Sequence, residues 1–479
     1  MRHPLLFTLA ILTLASTGCM VGPNYKRPAA PVPAAYKEPL PDGWKEAQPN
    51  DGAIRGKWWE IYNDPQLNAL EEQVSISNQN VLEAEANFRA ARYAVRIARA
   101  SLFPTVTVGP TLGVSRSASG IPGQSGVVAT YSLPAAASWP VDIWGAVHRS
   151  VQASQATAQS LYAQLENARL AYQSELAQDY FSLRGIDGDV DLLTRTAKSY
   201  EEYLTLTQNR YKAGVASGGD VAQAQTQLDT TRAQLIDFGV ARAQFEHAIA
   251  ILTGKPPTTL SLPTGLLKTP PPPIPVALPS VLLERRPDIA GAERQMAAVH
   301  EQIGIAVAAY YPSLDLSASL GFGPAQFTKG FLWPSRVFSA GSALSETVYE
   351  GGKRRAQVAQ AKALYDASVA SYRETVLTAF QQVEDDLSAL KILADEAAAT
   401  DRAVKAAEES LAIATYQYKA GTVAYLQVIT TQAAALQEER AAVDVLTRRI
   451  VSSVLLVQAL GGGWDSKNIP SPADMMQGQ

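Results

Sequence analysis

Cysteine is almost absent: Cys19 is the single one in 479 residues. That excludes a disulfide within the chain and any cluster of thiolate ligands. Histidine is nearly as scarce, and His3, His148, His247 and His300 lie far apart. They read as isolated polar positions rather than a metal set. Charge is low and balanced, with 18% charged residues and a net charge of −4. A nucleic-acid partner calls for a basic excess to neutralise phosphates, so none is expected. No apolar run reaches the ~20 residues of a membrane-spanning helix, and only a shorter one stands at the start. A mature chain that crosses a membrane must therefore do so as β-strands, because backbone polar groups in lipid have to be paired. Nor does any convergent polar constellation point to catalysis or a bound cofactor. The acidic run Glu384-Asp385-Asp386 reads as a solvated helix face.

What is present begins at the N-terminus. Arg2 and His3 precede an apolar run from Leu5 to Leu14, then Ala15-Ser16-Thr17-Gly18-Cys19. A basic start, a short apolar core and a small-residue zone make residues 1–18 a secretory signal. Cys19 directly after Gly18 resembles a bacterial lipobox. The resemblance implies cleavage of the Gly18–Cys19 bond, S-diacylglycerol on the thiol and N-palmitate on the new amine, enough hydrocarbon for stable anchoring. In lipoproteins of this type an aspartate next to the cysteine favours the inner membrane, so Met20 points to the outer one. Residues 19–52, rich in proline, alanine and polar side chains, read as an extended tether lying along a surface.

The chain is written twice. Arg210-Tyr211-Lys212-Ala213-Gly214 recurs as Gln417-Tyr418-Lys419-Ala420-Gly421, an offset of 207. Leu102-Phe103-Pro104-Thr105-Val106 recurs as Tyr310-Tyr311-Pro312-Ser313-Leu314, an offset of 208. Gly145 and Gly352 match at 207, and Glu85 and Glu293 at 208. One architecture over residues 53–255 should thus repeat over 280–463. The seam is the proline-rich connector 256–279, which can be neither helix nor central strand, and 464–479 is a tail.

Each half reads as helices, two strands, a long helix and a returning helix. Apolar and polar residues alternate at period two over about 104–116, 128–143, 312–323 and 336–349, the pattern of strands with one apolar face. Four strands cannot close a membrane barrel, since single-chain barrels start at about eight, and open edges are not tolerated in lipid. Either these strands avoid the membrane or several protomers share one barrel. Long helices follow at about 145–212 and 352–419. The first carries Val147, Val151, Ser154, Ala158, Leu161, Leu165, Ala168 and Tyr172 at coiled-coil spacing, with Gly185 and Gly188 as soft spots. Nearly 70 residues of helix reach ~100 Å. Returning helices are placed at about 219–253 and 422–460, each closed by glycine.

At this point the residues resemble a known family. Lys57-Trp58-Trp59-Glu60-Ile61-Tyr62-Asn63-Asp64-Pro65-Gln66-Leu67 is similar to the opening signature of the outer membrane factor family, the TolC/OprM/NodT-like efflux outer-membrane lipoproteins. Arg285-Arg286-Pro287-Asp288-Ile289 resembles that family's start of the second half. The resemblance implies a homotrimer: an α+β membrane protein whose three protomers share a 12-stranded outer-membrane β-barrel, continued by a long periplasmic α-helical barrel. It implies a passive efflux duct for drugs or other small molecules. Its partners would be a periplasmic adaptor protein, an inner-membrane pump of the RND type and outer-membrane lipid. The tips Arg210, Tyr211, Lys212, Gly214, Tyr418, Lys419 and Gly421 would dock the adaptor, although the glycines also serve simply to make the turns. Members narrow the tube with aspartates near the second turn; here Gln427 and Thr430 stand at such positions, as does Val423. Asp220 matches Gln427 at the repeat offset and reads as a helix N-cap or a gate residue. Leu426 is the candidate for an apolar constriction that closes by excluding water. A type I secretion duct and a non-channel coiled-coil spacer lipoprotein stand as alternatives.

Overall fold

The computed structural model describes residues 20–38, 56–117, 126–267, 269–274, 276, 284–326 and 336–476; Gly18, Cys19 and the signal segment lie outside them. The family-like signature folds locally. Trp58–Tyr62 forms a 3-10 turn that ends on Asn63 in the left-handed region, φ 52°, a conformation asparagine tolerates better than most residues. The chain can then turn Asp64 back onto the amides of Gln66 and Leu67, capping α1 (Pro65–Ser77) with Pro65 in its first turn. Asn78 caps α2 (Gln79–Ala100) in the same way.

One antiparallel sheet follows. β1 (Thr105–Val108) and β2 (Thr111–Ser117) both pair with β3 (Gly126–Val141), which pairs with β4 (Ser313–Gln326), which pairs with β5 (Arg336–Ser345). The first strand of the sequence reading is thus two pieces. Pro110, with no N–H to give the ladder, interrupts it, yet the register runs on unchanged from Thr105↔Ser138 to Ser117↔Gly126. The last strand stops at Ser345 rather than 349, and Val348 lies beyond it, 95% exposed. Register sets the faces. Val106, Val108, Leu112 and Val114 oppose Ala137, Ala135, Tyr131 and Ala129. On the next strand Ala137, Ala135, Leu133 and Trp139 oppose Ala318, Leu320, Phe322 and Leu316. Leu320 and Leu314 then oppose Phe338 and Leu344. Directly opposed residues share a face, so one side of the sheet is predominantly apolar, with Ser342 within it and Arg116 and Arg336 at strand ends. The other side is polar: Thr111 and Ser132 hydroxyls meet at 2.5 Å, Ser319 and Ser339 at 2.8 Å.

Below the sheet hang the helices. α3 (Ala146–Lys212) and α6 (Lys353–Lys419) each have 67 residues, about 100 Å at 1.5 Å per residue. α4 (Gly218–Leu252) and α7 (Tyr425–Ala459) return with 35 residues each, and α5 (Pro287–Ala308) leads into β4. The second return starts at Tyr425, not 422, because the turn after Gly421 runs to Ala424. Gly185 and Gly188 are not soft spots, as α3 is helical through both. A Cβ on Gly185 would stand 2.4 Å from the Thr447 hydroxyl oxygen, so the bare backbone is what lets α3 and α7 touch.

The core sits about midway along the long helices, where Trp58, Leu67, Leu176, Tyr180, Leu183, Tyr372, Val376, Val383 and Val454 are buried together. The connector is pinned beside it. Asp187 receives Arg184 at 2.9 Å, Arg242 at 2.8 Å and the Gly265 amide at 2.9 Å, while Arg184 also donates to the Pro263 carbonyl. The tail is packed as well: Trp464 and Met475 are buried. Residues 20–38 form a strap along α5 and α6. Tyr25 donates to Glu293 (2.6 Å), Arg27 to the Tyr372 hydroxyl (2.8 Å), and the Lys37 and Glu38 amides to Glu384 (2.7 and 3.0 Å). Glu384 therefore holds backbone amides and is not a plain solvated face. Burial and neighbouring Asp385 push the Asp386 carboxyl up to about 7 against the pull of Arg286.

Candidate channel wall and tips

Two regions of the chain are built to do something other than hold it together. The first is the apolar sheet face. Leu112, Val114, Phe338 and Leu344 are 70% exposed or more, and Val106, Val108 and Leu320 more than 60%. Among the described residues, the outer edges of β1–β2 and of β5 have no strand partner. No described helix is long and apolar enough to cross a membrane.

The second is the far end of the shaft, where both hairpins close with one device. After α3, Gly214 is left-handed (φ 75°), the Val215 amide reaches back to the Arg210 carbonyl and the Gly214 amide to that of Tyr211. After α6, Gly421 (φ 78°), Thr422 and Gln417 repeat it. This is the glycine C-cap with its two backward bonds. Between the hairpins lies a small core of Tyr200, Leu204, Ala224, Leu228, Tyr418, Tyr425 and Val428. Arg210 lies 4.4 Å above the Tyr418 ring and donates to the Tyr418 carbonyl at 2.7 Å. Tyr203 meets Thr415 at 3.0 Å, and Tyr418 lies 5.4 Å from Tyr425, ring to ring. Burial holds the Tyr425 hydroxyl above its ordinary range.

The candidate tip set therefore divides. Arg210 and Tyr418 turn inward and tie the hairpins together; Tyr211, Lys212, Gly214, Lys419 and Gly421 are exposed. The gate set divides too. Asp220 is not the N-cap itself: Ser217 is, and the two exchange side-chain and amide bonds at 2.9 and 3.1 Å in a capping box. Gln427 is likewise the third residue of its helix, but Ala424 before it offers no side-chain cap. Leu426, 57% exposed, lines a groove of about 630 Å³ between α6 and α7 with Ile413, Gln417, Val423 and Gln427. Thr430 is exposed one turn further on. The inter-hairpin bonds of Arg210 escaped the sequence reading. Tyrosines at 200, 203, 418 and 425 were the available signal.

The model of the outer membrane efflux protein family matches residues 70–255 and again 278–462. The chain belongs to that family. It is similar to the outer membrane protein OprJ of Pseudomonas aeruginosa, 30% identical over 478 residues and 97% of each chain. It is also similar to the toluene efflux pump outer membrane protein TtgC of Pseudomonas putida, 29% identical over 464 residues and 96% of each. Among solved structures, the outer-membrane channel OprN superposes with a TM-score of 0.84 at 28% identity, covering 93% of this chain and all of the other. As an outer membrane efflux protein, the chain stands in the outer membrane and reaches into the periplasm.

Proposed function

We propose that the protein is the exit duct of a tripartite efflux system, passing drugs or other small molecules outward from a periplasmic adaptor and an inner-membrane pump. The observation that carries this reading is the sheet: four strand positions, predominantly apolar on one face, with both outer edges open among the described residues and mounted on helices of 67 residues. Open edges have no place in lipid. Three protomers joined edge to edge make a closed 12-stranded barrel, and three sets of helices make the tube beneath it. Cys19, outside the described residues, carries S-diacylglycerol and N-palmitate in this reading. The exposed tip residues meet the adaptor, and Leu426, Gln427 and Thr430, with Asp220 opposite, line the narrow periplasmic end.

Electron microscopy of the detergent-purified protein tests it. A hollow three-fold cylinder well over ~100 Å long, belted by detergent at one end, is the expected image. A solid rod, or a single chain without a detergent belt, would defeat the duct and leave a coiled-coil spacer.

A further inference from the structure

The junction between sheet and shaft contains a buried arginine that the duct reading does not use. Arg149 lies one turn into α3 and is 1% exposed. Its Nη1 donates to Glu301 of α5 at 2.7 Å, its Nε to the Val21 carbonyl at 2.7 Å and its Nη2 to the Gly22 carbonyl at 3.2 Å. Two of its three acceptors thus belong to the strap. The floor is shaped for this. A Cβ on Gly304 would come within 2.1 Å of Arg149 Cδ, and Gly22 rests on Gly304 with φ +92°. The Val21 amide donates to the Trp144 carbonyl at 3.1 Å, and Met20 packs on Gly145. Trp144 in turn donates to the Pro312 carbonyl at 2.8 Å and stacks on Tyr311 at 4.6 Å, directly before β4.

A buried guanidinium is costly unless its donors are matched. Without residues 21 and 22 this one would keep Glu301 alone, with two donor groups facing an empty slot. The pocket is complete only when a backbone bent at Gly22 turns two successive carbonyls toward it.

We propose that Arg149, Glu301 and Gly304 form a receiving site for the chain's own N-terminal segment. Filling it fixes where the anchor enters the membrane. Consecutive Cα atoms are about 3.8 Å apart, so with Met20 seated at the sheet–shaft junction, an anchor on the preceding residue is attached beside that junction. The placement of acyl chains rests on the reading of Cys19 as the lipid site; the seating of residues 20–22 does not.

Hydrogen–deuterium exchange on the full-length, detergent-purified protein tests the site, with intact mass reporting acylation. In the parent, the Val21 amide, bonded to the Trp144 carbonyl, is expected to exchange slowly. Arg149→Met is expected to speed that exchange at least tenfold with Cys19 still acylated. Gly22→Val, a change on the strap that spares the shaft, should do the same even where Arg149→Met misfolds. Cys19→Ser behind an ordinary signal peptide should leave the segment protected, since the protein and not the lipid holds it. Unchanged exchange in Gly22→Val and Arg149→Met, or release of the strap by Cys19→Ser alone, would overturn the site. A parent chain without acyl mass would sink the lipid reading while the exchange data still decide the seat.

Discussion

Asp187 shows what one side chain does here. It is buried, takes two arginines and a backbone amide, and thereby fastens the connector between the two halves to α3 and α4. Asp187→Asn strips buried Arg184 of its counter-charge and leaves Arg242 with Glu246 alone, a change that costs on the order of 3 kcal/mol. The thermal unfolding midpoint of the purified protein should drop by several degrees; a midpoint within one degree of the parent would remove Asp187 from this role. Asp386 acts in the opposite sense. Its carboxyl is pushed up to about 7 in the fold, against about 3.9 in an unfolded chain. Between those values the native state holds a proton that the unfolded state has released. Stability therefore falls as pH rises through that window and levels off above it. Asp386→Asn should flatten this slope and gain most over the parent at pH 8, measured as unfolding midpoints at pH 5 and 8. An equal gain at both would refute the assignment.

At the scale of elements, the two hairpin tips are copies in backbone and different in task. Both end in a left-handed glycine with the same backward bonds, so their geometry is set by turn chemistry. Their side chains then part. Lys212 and Lys419 are exposed, free for a partner. Lys212→Glu or Lys419→Glu should weaken efflux, read as drug susceptibility, with the parent's assembly state kept on native gels; a lost assembly would mean a structural role instead. Leu426 is exposed beside Ile413 and Val423. Leu426→Ser should raise passive leakage of large antibiotics by wetting an apolar constriction, and unchanged leakage would place the closure elsewhere.

For the whole molecule the question is what covers the apolar sheet face. Phe338 stands on it, 81% exposed and opposite Leu320. Phe338→Lys puts a charge where lipid should be, at about 2–4 kcal/mol near mid-membrane and less toward the interfaces. Outer-membrane yield and the heat stability of the purified assembly should both fall. Full yield with unchanged stability would argue that this face meets water.

Much of this was legible in the residues alone. The period-two runs became one apolar face, and the Lys-Ala-Gly pairs became matching turns, since strand alternation and glycine caps act over a few neighbouring residues. The break at Gly109-Pro110 was legible in principle, because proline has no N–H for the ladder. Other features depended on partners far off in sequence. Arg149 meets Glu301 and Val21, Tyr25 meets Glu293, Glu384 meets the strap amides, and Gly185 lies against Thr447. A glycine reads as a soft spot and an acid as a solvated charge until the neighbouring helix is in place. Local propensity and periodicity determined the elements of this protein; the packing of helices hundreds of residues apart decided which polar groups are buried, and with them where the N-terminal strap is held.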